Sequence, residues 1–163
     1  MAKNKNKKDK QQNPNERVIA QNRKASRDYI VLDSLECGIV LRGSEVKSLR
    51  VGTVSLSESY ARIRNGELWL VGCDIPEYFE ANRFNHEPRR DRKLLLHRRE
   101  IDRFATKAFA KGITLVPLKM YFKEGKAKVL VGLCQGKQKS DKREAMKKAE
   151  TEKALRQSMM RRR

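Results

Sequence analysis

Few residues of this sequence could do catalytic or metal chemistry, and they are widely spaced. There are two histidines, His86 and His97, and three cysteines, Cys37, Cys73 and Cys134. Zinc sites and redox-active thiols need closely spaced ligands such as CxxC, and hydrolases carry motifs such as GxSxG or HExxH. Neither kind of pattern occurs. The sequence therefore predicts buried free thiols, no metal, no cofactor and no enzyme, although a metal-dependent nuclease built from scattered carboxylates stays an alternative.

Charge is the dominant signal in the composition. The chain carries 39 Lys and Arg against 20 Asp and Glu, a formal net charge of +19 over 163 residues. A balance this basic predicts an anionic partner, and nucleic acid is the usual one. The apolar runs are only a few residues long, too short for a membrane span, and we find no signal peptide. We expect a cytoplasmic protein with no membrane partner.

The positive charge is concentrated in two terminal segments. Residues 1–28 contain nine basic and three acidic residues, and residues 137–163 contain eleven and four. The Lys- and Asn-rich start predicts a disordered basic arm over residues 1–21. The last segment, 137–163, consists of good helix formers with little to bury, which predicts a helix that forms only on an anionic surface. A solvated extension without function is the alternative.

The middle of the chain, residues 22–136, has the pattern of a β domain. Short β-rich runs are bounded by turn residues, and Asn65-Gly66 separates two of them. Asn-Gly is a strong hairpin signal because both central positions of the favoured turn need positive φ. A second hairpin is predicted around residues 123–125. In all, the pattern predicts six short strands.

Two helical segments interrupt the strands. GSEVKSLRVG, residues 43–52, has apolar residues at i and i+3, and apolar residues recur with helical period between Ile101 and Phe109. Residues 76–93 show no period, which predicts a long exposed loop. This balance favours a mainly β fold, a small OB-like Greek-key β-barrel with two or three short helices and disordered basic tails.

The aromatic content bears on the kind of nucleic acid. Proteins that coat single strands stack bases on aromatic side chains, but only 6% of this chain is aromatic. The strand aromatics Tyr60, Trp69, Tyr121 and Phe122 could mostly be core. These features favour a folded RNA contacted through its backbone and 2′-hydroxyls. A general OB-type coating protein for RNA or DNA remains the alternative.

Several motifs occur here in the order found in one known family. They are NRKA (22–25), DY (28–29), GSEVKSLRVG (43–52), RKLLLHRREI (92–101), TLVPLKMYF (114–122) and the GK…DKR run (136–143). Together they make residues 22 to 145 closely similar to the SsrA-binding proteins, the small protein B family. The resemblance implies an OB-like barrel, with no enzymatic activity, that binds the tRNA-like domain of transfer-messenger RNA.

The resemblance also implies a biological process. Members of this family deliver transfer-messenger RNA to ribosomes stalled on broken mRNA, alongside the elongation factor that delivers aminoacyl-tRNA. The nascent peptide then receives a degradation tag, which is the process called trans-translation. The implied partners of this chain are therefore transfer-messenger RNA and the stalled ribosome, mainly its small-subunit rRNA.

Three residues match the family's RNA-contact positions. Glu36 precedes the small pair Cys37-Gly38, and a carboxylate can accept hydrogen bonds from base N–H groups or from a 2′-hydroxyl. Leu95 and His97 match a second contact patch, and residues two apart along a strand face the same side. Relatives often carry Asn at the position of His97. Without the resemblance, Glu36 would be interpreted as a solvated acid and Leu95 as core.

Basic side chains near these positions are predicted to contact phosphates. They are Lys47, Arg50, Arg89, Arg90, Arg92 and Lys93. For Lys47 and Arg50, a solvated helical face is the alternative interpretation. Glu45, in contrast, is predicted to serve the fold.

The C-terminal segment matches the part of the family that occupies the decoding region and the mRNA channel. The residues carried over by the match are Lys137, Lys139, Asp141, Lys142 and Arg143. Ser140 departs from the family, since relatives often have Tyr or His there. Serine has no ring to stack on a base, so that contact is not carried over to this chain.

Overall fold

Seven strands and three complete helices form the part of the chain that the computed structural model describes, residues 16–52, 54–138 and 150–151. In chain order they are β1 (Glu16–Gln21), α1 (Arg23–Asp28), β2 (Tyr29–Ile39), α2 (Gly43–Val51), β3 (Tyr60–Arg64), β4 (Glu67–Val71), β5 (Arg92–Leu95), α3 (Arg98–Ala108), β6 (Ile113–Lys123) and β7 (Lys126–Gly136). A short 3₁₀ segment, Phe79–Phe84, lies between β4 and β5. Residues 150–151 are helical and exposed.

The sheet closes into a barrel through β6. Its strands follow the order β6-β3-β4-β5-β2-β7, every pairing is antiparallel, and β7 pairs again with β6. On its other side β6 is long enough to pair with β3 at Leu115 and with β1 between Lys119 and Lys123. Closure pairs strand edges that an open sheet would expose. The predicted mainly β, OB-like Greek-key barrel is confirmed.

Both predicted hairpins are present. β3 and β4 join at Asn65 and Gly66, whose φ angles are 51° and 72°. β6 and β7 join at Glu124 and Gly125, with φ of 51° and 74°. These positive φ angles explain the Asn-Gly signal, because Asn and Gly reach this region at low cost. The two predicted helices are also present, as α2 and α3.

The strand register fills the barrel with apolar side chains. Directly opposite residues of antiparallel strands share one face of the sheet. Cys37 on β2, Val129 on β7 and Met120 on β6 form such a row, and none of them is exposed to solvent. Leu94 on β5 is also buried, whereas the next residue, Leu95, is 51% exposed. The alternation therefore separates a packed interior from an outer surface.

The three cysteines are buried and unpaired, as predicted. Burial raises the pKa of the Cys37 thiol to about 12 and that of Cys73 to about 11. Burial also raises the pKa of Cys134. Since the thiolate is the nucleophilic form of cysteine, all three behave as small apolar core residues.

The predicted boundary of the N-terminal arm is wrong for its last six residues. Residues 16–21 form β1, which pairs with β6, and α1 follows it. The side chain of Asn22 begins α1 by accepting from the Ala25 N–H at 3.1 Å. Sequence periodicity missed both elements because they are only six residues each. Residues 1–15 of the predicted arm lie outside the described part of the chain.

The prediction of one long exposed loop over residues 76–93 is also wrong in part. His86 is only 1% exposed, and its ring nitrogens lie 2.9 Å from Ser44 Oγ and 2.9 Å from the Ile75 carbonyl oxygen. Arg92 and Lys93 belong to β5. The polar composition concealed this order, because the segment is fixed by hydrogen bonds rather than by apolar packing.

A buried cluster of charges joins α2 to β5. Glu45 is 0% exposed and accepts from Arg92 Nε at 2.8 Å and from Arg90 Nη2 at 2.6 Å. The remaining Arg92 nitrogens donate to backbone carbonyls, including those of Cys73 at 2.6 Å and Pro88 at 2.9 Å. A buried charge is tolerated when it is both paired and hydrogen-bonded. Glu45 therefore serves the fold, as the sequence predicted.

The same cluster overturns the prediction that Arg92 contacts phosphate. Its side chain is 0% exposed and its guanidinium already donates to Glu45 and to carbonyl oxygens. A phosphate cannot reach it while β5 is in place. Arg90 keeps 21% of its side chain exposed, but its Nε and Nη2 both donate to Glu45.

The charge state of Glu45 couples this cluster to pH. Burial alone would raise the pKa of Glu45, but hydrogen bonds from Arg90 and the Arg42 N–H, with the charge of Arg92, hold it below its ordinary value of 4.5. A depressed pKa in the folded state stabilises the fold above the ordinary pKa. That contribution is lost as the pH falls through the lowered value.

We expect Glu45→Ala to lower the free energy of unfolding by about 3–5 kcal/mol, because it leaves the buried Arg92 without its counter-charge. Urea denaturation at neutral pH measures the change. Glu58→Ala is the matched control, since Glu58 is exposed and its loss should cost less than about 0.5 kcal/mol. Equal effects of the two substitutions would contradict the assigned role of Glu45.

Candidate nucleic-acid interface

The outer face of the barrel carries a depression where β5, β2 and β7 lie side by side. Register explains its floor, because Gly38 of β2 pairs with Leu95 of β5 on one side and with Lys128 of β7 on the other. The depression has a volume of about 520 Å³. It is lined by Leu35, Glu36, Gly38, Leu95, Leu96, His97, Glu100 and Lys128. Glu36, Leu95 and His97, which are distant in sequence, therefore meet at one site.

Glu36 is held in place by groups from two other strands. The Tyr121 hydroxyl of β6 donates a hydrogen bond to Glu36 Oε2, and Lys123 Nζ lies 3.2 Å from the same oxygen. Lys128 Nζ approaches Oε1 to 3.9 Å. The Tyr121 hydrogen bond, followed by the charges of the lysines, lowers the pKa of Glu36 against the opposing effect of burial. At neutral pH the depression thus presents an ionised acceptor.

Tyr121 is the positioning residue for this carboxylate. Its side chain is 2% exposed although it lies in the outer row, opposite Lys128, because β1 pairs beside it at Val18. Lys119 Nζ lies 4.3 Å from the centre of its ring. Burial, followed by the hydrogen bond to Glu36, raises the pKa of Tyr121, so that its hydroxyl keeps the proton it donates.

Leu95 and His97 form the opposite wall. Gly38 allows the close approach of Leu95, because a Cβ added at Gly38 would lie 3.2 Å from Leu95 Cβ. His97 follows β5 and begins α3, where its backbone N–H donates to Glu100 Oε2 at 3.1 Å. Both side chains are exposed. Of the three leucines 94–96, Leu94 points into the barrel and is 1% exposed.

A second, more apolar depression adjoins the first. It has a volume of about 430 Å³ and shares Gly38, Leu95 and Lys128 with its neighbour. Its other lining residues are Ile39, Leu41, Val46, Phe122, Gly125, Lys126 and Ala127. The two together make a continuous concave surface in which two carboxylates, those of Glu36 and Glu100, lie among apolar and basic side chains.

The predicted phosphate contacts lie apart from this surface. Lys47 and Arg50 are exposed on α2, and neither lines the depression that contains Glu36. Arg89 is exposed and donates to Asp74 at 3.2 Å. Lys93 is paired with Glu67 of β4. Lys47, Arg50, Arg89 and Lys93 therefore remain predicted phosphate contacts, whereas Arg92 is excluded by its burial.

Among the predicted ribosome contacts, Lys137 falls within the described residues, and it is attached to the barrel. Its backbone N–H donates to the Asp28 carbonyl at 2.9 Å and its Nζ donates to the Ser26 carbonyl at 2.9 Å. The C-terminal segment therefore leaves the barrel beside the end of α1. Lys139, Asp141, Lys142 and Arg143 lie outside the described residues.

Sequence reasoning missed three contributors to the site, Tyr121, Lys123 and Lys128. The sequence predicted that the strand aromatics could mostly be core; Tyr121 is buried in the outer row beside β1, and its hydroxyl donates to Glu36. Side chains of β7 alternate between the two faces of the sheet, which places Lys128 on the outer face. Its direction could therefore have been predicted from the sequence. Its position beside Gly38 could not, because that depends on the pairing of β2 with β7.

The geometry of the depression is suited to binding a ligand. No group of three or more His, Cys, Asp or Glu side chains that could hold a metal ion occurs within residues 16–52, 54–138 and 150–151. The described helices include none long and apolar enough to cross a membrane. An ionised acceptor, an apolar wall and flanking lysines suit a ligand that offers hydroxyl or N–H donors together with negative charge.

These features define a class, the small basic β-barrel with an open surface for nucleic acid. A family model described as SmpB protein matches residues 19–161, so the chain belongs to the SmpB family. An SsrA-binding protein of Rhodopirellula baltica is 53% identical over 153 residues, covering 93% of this chain and 87% of that protein. Another, of Carboxydothermus hydrogenoformans, is 57% identical over 145 residues, covering 86% and 97%. The family resemblance in the sequence motifs is confirmed.

A solved structure supports the same assignment. The match is to a chain in the structure described as "tmRNA-SmpB: a journey to the center of the bacterial ribosome". It has a TM-score of 0.64 and 49% sequence identity, and it covers 78% of this chain and 93% of that one.

We expect Tyr121→Phe to raise the pKa of Glu36 toward its ordinary value of 4.5, because the substitution removes the hydrogen bond that lowers this pKa most and keeps the buried ring. The pH dependence of the Glu36 side-chain carboxyl resonance in NMR spectra measures it. Tyr60→Phe serves as the control, since Tyr60 is 42% exposed on β3. A Glu36 pKa unchanged by Tyr121→Phe would refute the positioning role.

Proposed function

We propose that this protein binds the tRNA-like domain of transfer-messenger RNA through the depression that contains Glu36, Leu95 and His97. The observation that carries the proposal is the convergence of these three residues, from β2, β5 and the start of α3, on one concave surface. The names of its relatives, SsrA-binding proteins, support the choice of RNA.

The chemistry of the site suits RNA in particular. Phosphates offer no hydrogen-bond donor to a carboxylate, whereas a 2′-hydroxyl and base N–H groups do. The ionised Glu36 would accept from such a donor, and Lys123 and Lys128 beside it would offset its repulsion of the backbone. Leu95 would contact a sugar or a base face, with His97 adding a polar contact.

The protein would act without catalysis as an escort of its RNA. We propose that it delivers transfer-messenger RNA to stalled ribosomes in the cytoplasm, alongside the elongation factor that carries aminoacyl-tRNA. The net charge of residues 137–163 supports a contact with small-subunit rRNA in the decoding region. The exit of the chain from the barrel at Lys137 would give that segment a fixed origin.

We expect Glu36→Arg to weaken binding to the tRNA-like domain roughly tenfold or more, because it replaces a charge-assisted acceptor with a group that cannot accept. Fluorescence anisotropy with excess total tRNA as competitor measures the specific component. Glu58→Arg is the control, since it adds the same charge at another exposed acid.

The pair of variants also tests the alternative, a coating protein that binds any RNA by charge. Such a protein should bind more tightly after either substitution. Wild-type binding that total tRNA abolishes, together with stronger binding by both variants, would favour the coating protein and contradict the proposed specificity.

We expect removal of residues 139–163 to leave binding to the tRNA-like domain nearly intact and to abolish peptide tagging by stalled ribosomes, because the barrel elements end at Gly136. The cut after Gln138 keeps the two hydrogen bonds of Lys137. A reconstituted tagging reaction is the measurement. Full tagging by the shortened chain would contradict the role assigned to the segment.

A further inference from the structure

Two phenylalanines are almost fully exposed at the ends of the 3₁₀ segment. Phe79 is 98% exposed and Phe84 is 78% exposed. A large aromatic side chain gains considerable free energy from burial, so two exposed rings in one short segment indicate an interaction surface. Neither ring contributes to the barrel core.

The backbone that carries the rings is held in place. The Asn85 side chain donates to the Tyr78 carbonyl at 2.7 Å and accepts from the Tyr78 N–H at 3.0 Å, which closes the segment at its base. Next to it, buried His86 contacts Ser44 on α2 at 2.9 Å. Phe79 and Phe84 flank this closed base, so their exposure belongs to an ordered structure.

The surroundings of Phe84 are basic, and Phe79 lies at the other end of the same 3₁₀ segment. Phe84 lines a depression of about 400 Å³ together with Arg42, Gly43, Ser44, Lys47, Ala81 and Asn85. Among these described lining residues there is no acidic side chain. The Arg83 guanidinium lies over the Phe84 ring, 5.0 Å from its centre, and Lys47 Nζ lies 5.5 Å from the centre of the Tyr78 ring.

We propose that this surface, the aromatic platform of Phe79 and Phe84 with Arg42, Lys47 and Arg83, binds unpaired bases of an RNA strand. Exposed aromatic rings stack on bases of any type, and adjacent cations bind the phosphates between the bases. The Arg83 guanidinium, already over a ring, would extend the stack.

The lining favours RNA over an apolar protein partner. Of its residues only Ala81 and Phe84 are apolar, so an amphipathic helix would bury little area there. Glu80, in the same segment, is engaged by the Tyr78 hydroxyl, which donates to Glu80 Oε2 at 2.6 Å.

The platform is separate from the depression that contains Glu36, although its Lys47 is also one of the predicted phosphate contacts. The two depressions share no lining residue, and the inference does not rest on the role of Glu36. It gives the barrel a second RNA contact, for single-stranded rather than folded RNA.

The test uses the full-length chain with Phe79→Ala and Phe84→Ala combined. The probe is a short, unstructured, fluorescein-labelled RNA, and anisotropy is measured at raised salt, which weakens charge-driven binding. Removing two stacking rings should weaken binding about 25-fold or more, since each ring contributes at least about fivefold to the affinity. The double Phe→Tyr variant, which keeps both rings, should restore it.

Two controls separate stacking from charge and from misfolding. Phe109→Ala removes a ring that is 82% exposed on another part of the surface, and it should leave affinity unchanged. An abasic strand of the same length keeps the phosphates, and it should bind the wild type and the double-alanine variant equally. A loss of affinity equal to that of Phe109→Ala, or no loss, would overturn the proposal. The proposal would also be overturned if the double-alanine variant bound the abasic strand more weakly than the wild type does.

The tRNA-like domain, measured with the same variants, distinguishes this proposal from the previous one. Its binding should be unaffected by Phe79→Ala and Phe84→Ala. Capture of a ribosomal protein by the platform, with RNA affinity unchanged, would show that the partner is a protein and would also overturn the inference.

Discussion

The buried pairing of Glu45 with Arg92 is the interaction on which the rest of the site depends. It joins the first turns of α2 to the start of β5 and, through the carbonyls of Cys73 and Pro88, also fixes the chain on either side of the 3₁₀ segment. β5 is only four residues long and would have little to hold it by ladder hydrogen bonds alone. Leu95 lies at its end and His97 two residues further on, so the wall of the depression rests on this ion pair.

Two carboxylates of the barrel show how environment decides the task of a side chain. Glu45 is completely buried and its oxygens are occupied by Arg90, Arg92 and a backbone N–H. Glu36 has about a third of its side chain in solvent and is oriented by Tyr121. Both have lowered pKa values, yet only Glu36 can offer an oxygen to a ligand.

Local signals predicted much of the fold. The turn residues Asn65 and Gly66, the periodicity of α2 and α3 and the alternation of apolar residues depend on near neighbours, so sequence alone was enough. The sequence did not predict β1 and α1, because such short elements are stabilised mainly by the elements they pack against. β1, for example, is held by its pairing with β6.

The candidate site was predicted less completely, because its contacts also depend on pairing between distant strands. Glu36, Leu95 and His97 came from a family resemblance, and Arg92 was misassigned because a run of basic residues does not show which one points inward. Tyr121 reaches Glu36 across β7, a contact that depends on the register of three strands. Long-range pairing of this kind leaves no local trace in the sequence.

The burial of Cys37 has a consequence for cells under oxidative stress. Cys37 directly follows Glu36, so a sulfenic acid or a glutathione adduct there would push β2 outward and disturb the depression. Peroxides attack thiolates, and at its raised pKa this thiol stays protonated inside the barrel. The burial of this thiol therefore protects the depression beside it from oxidation by peroxide.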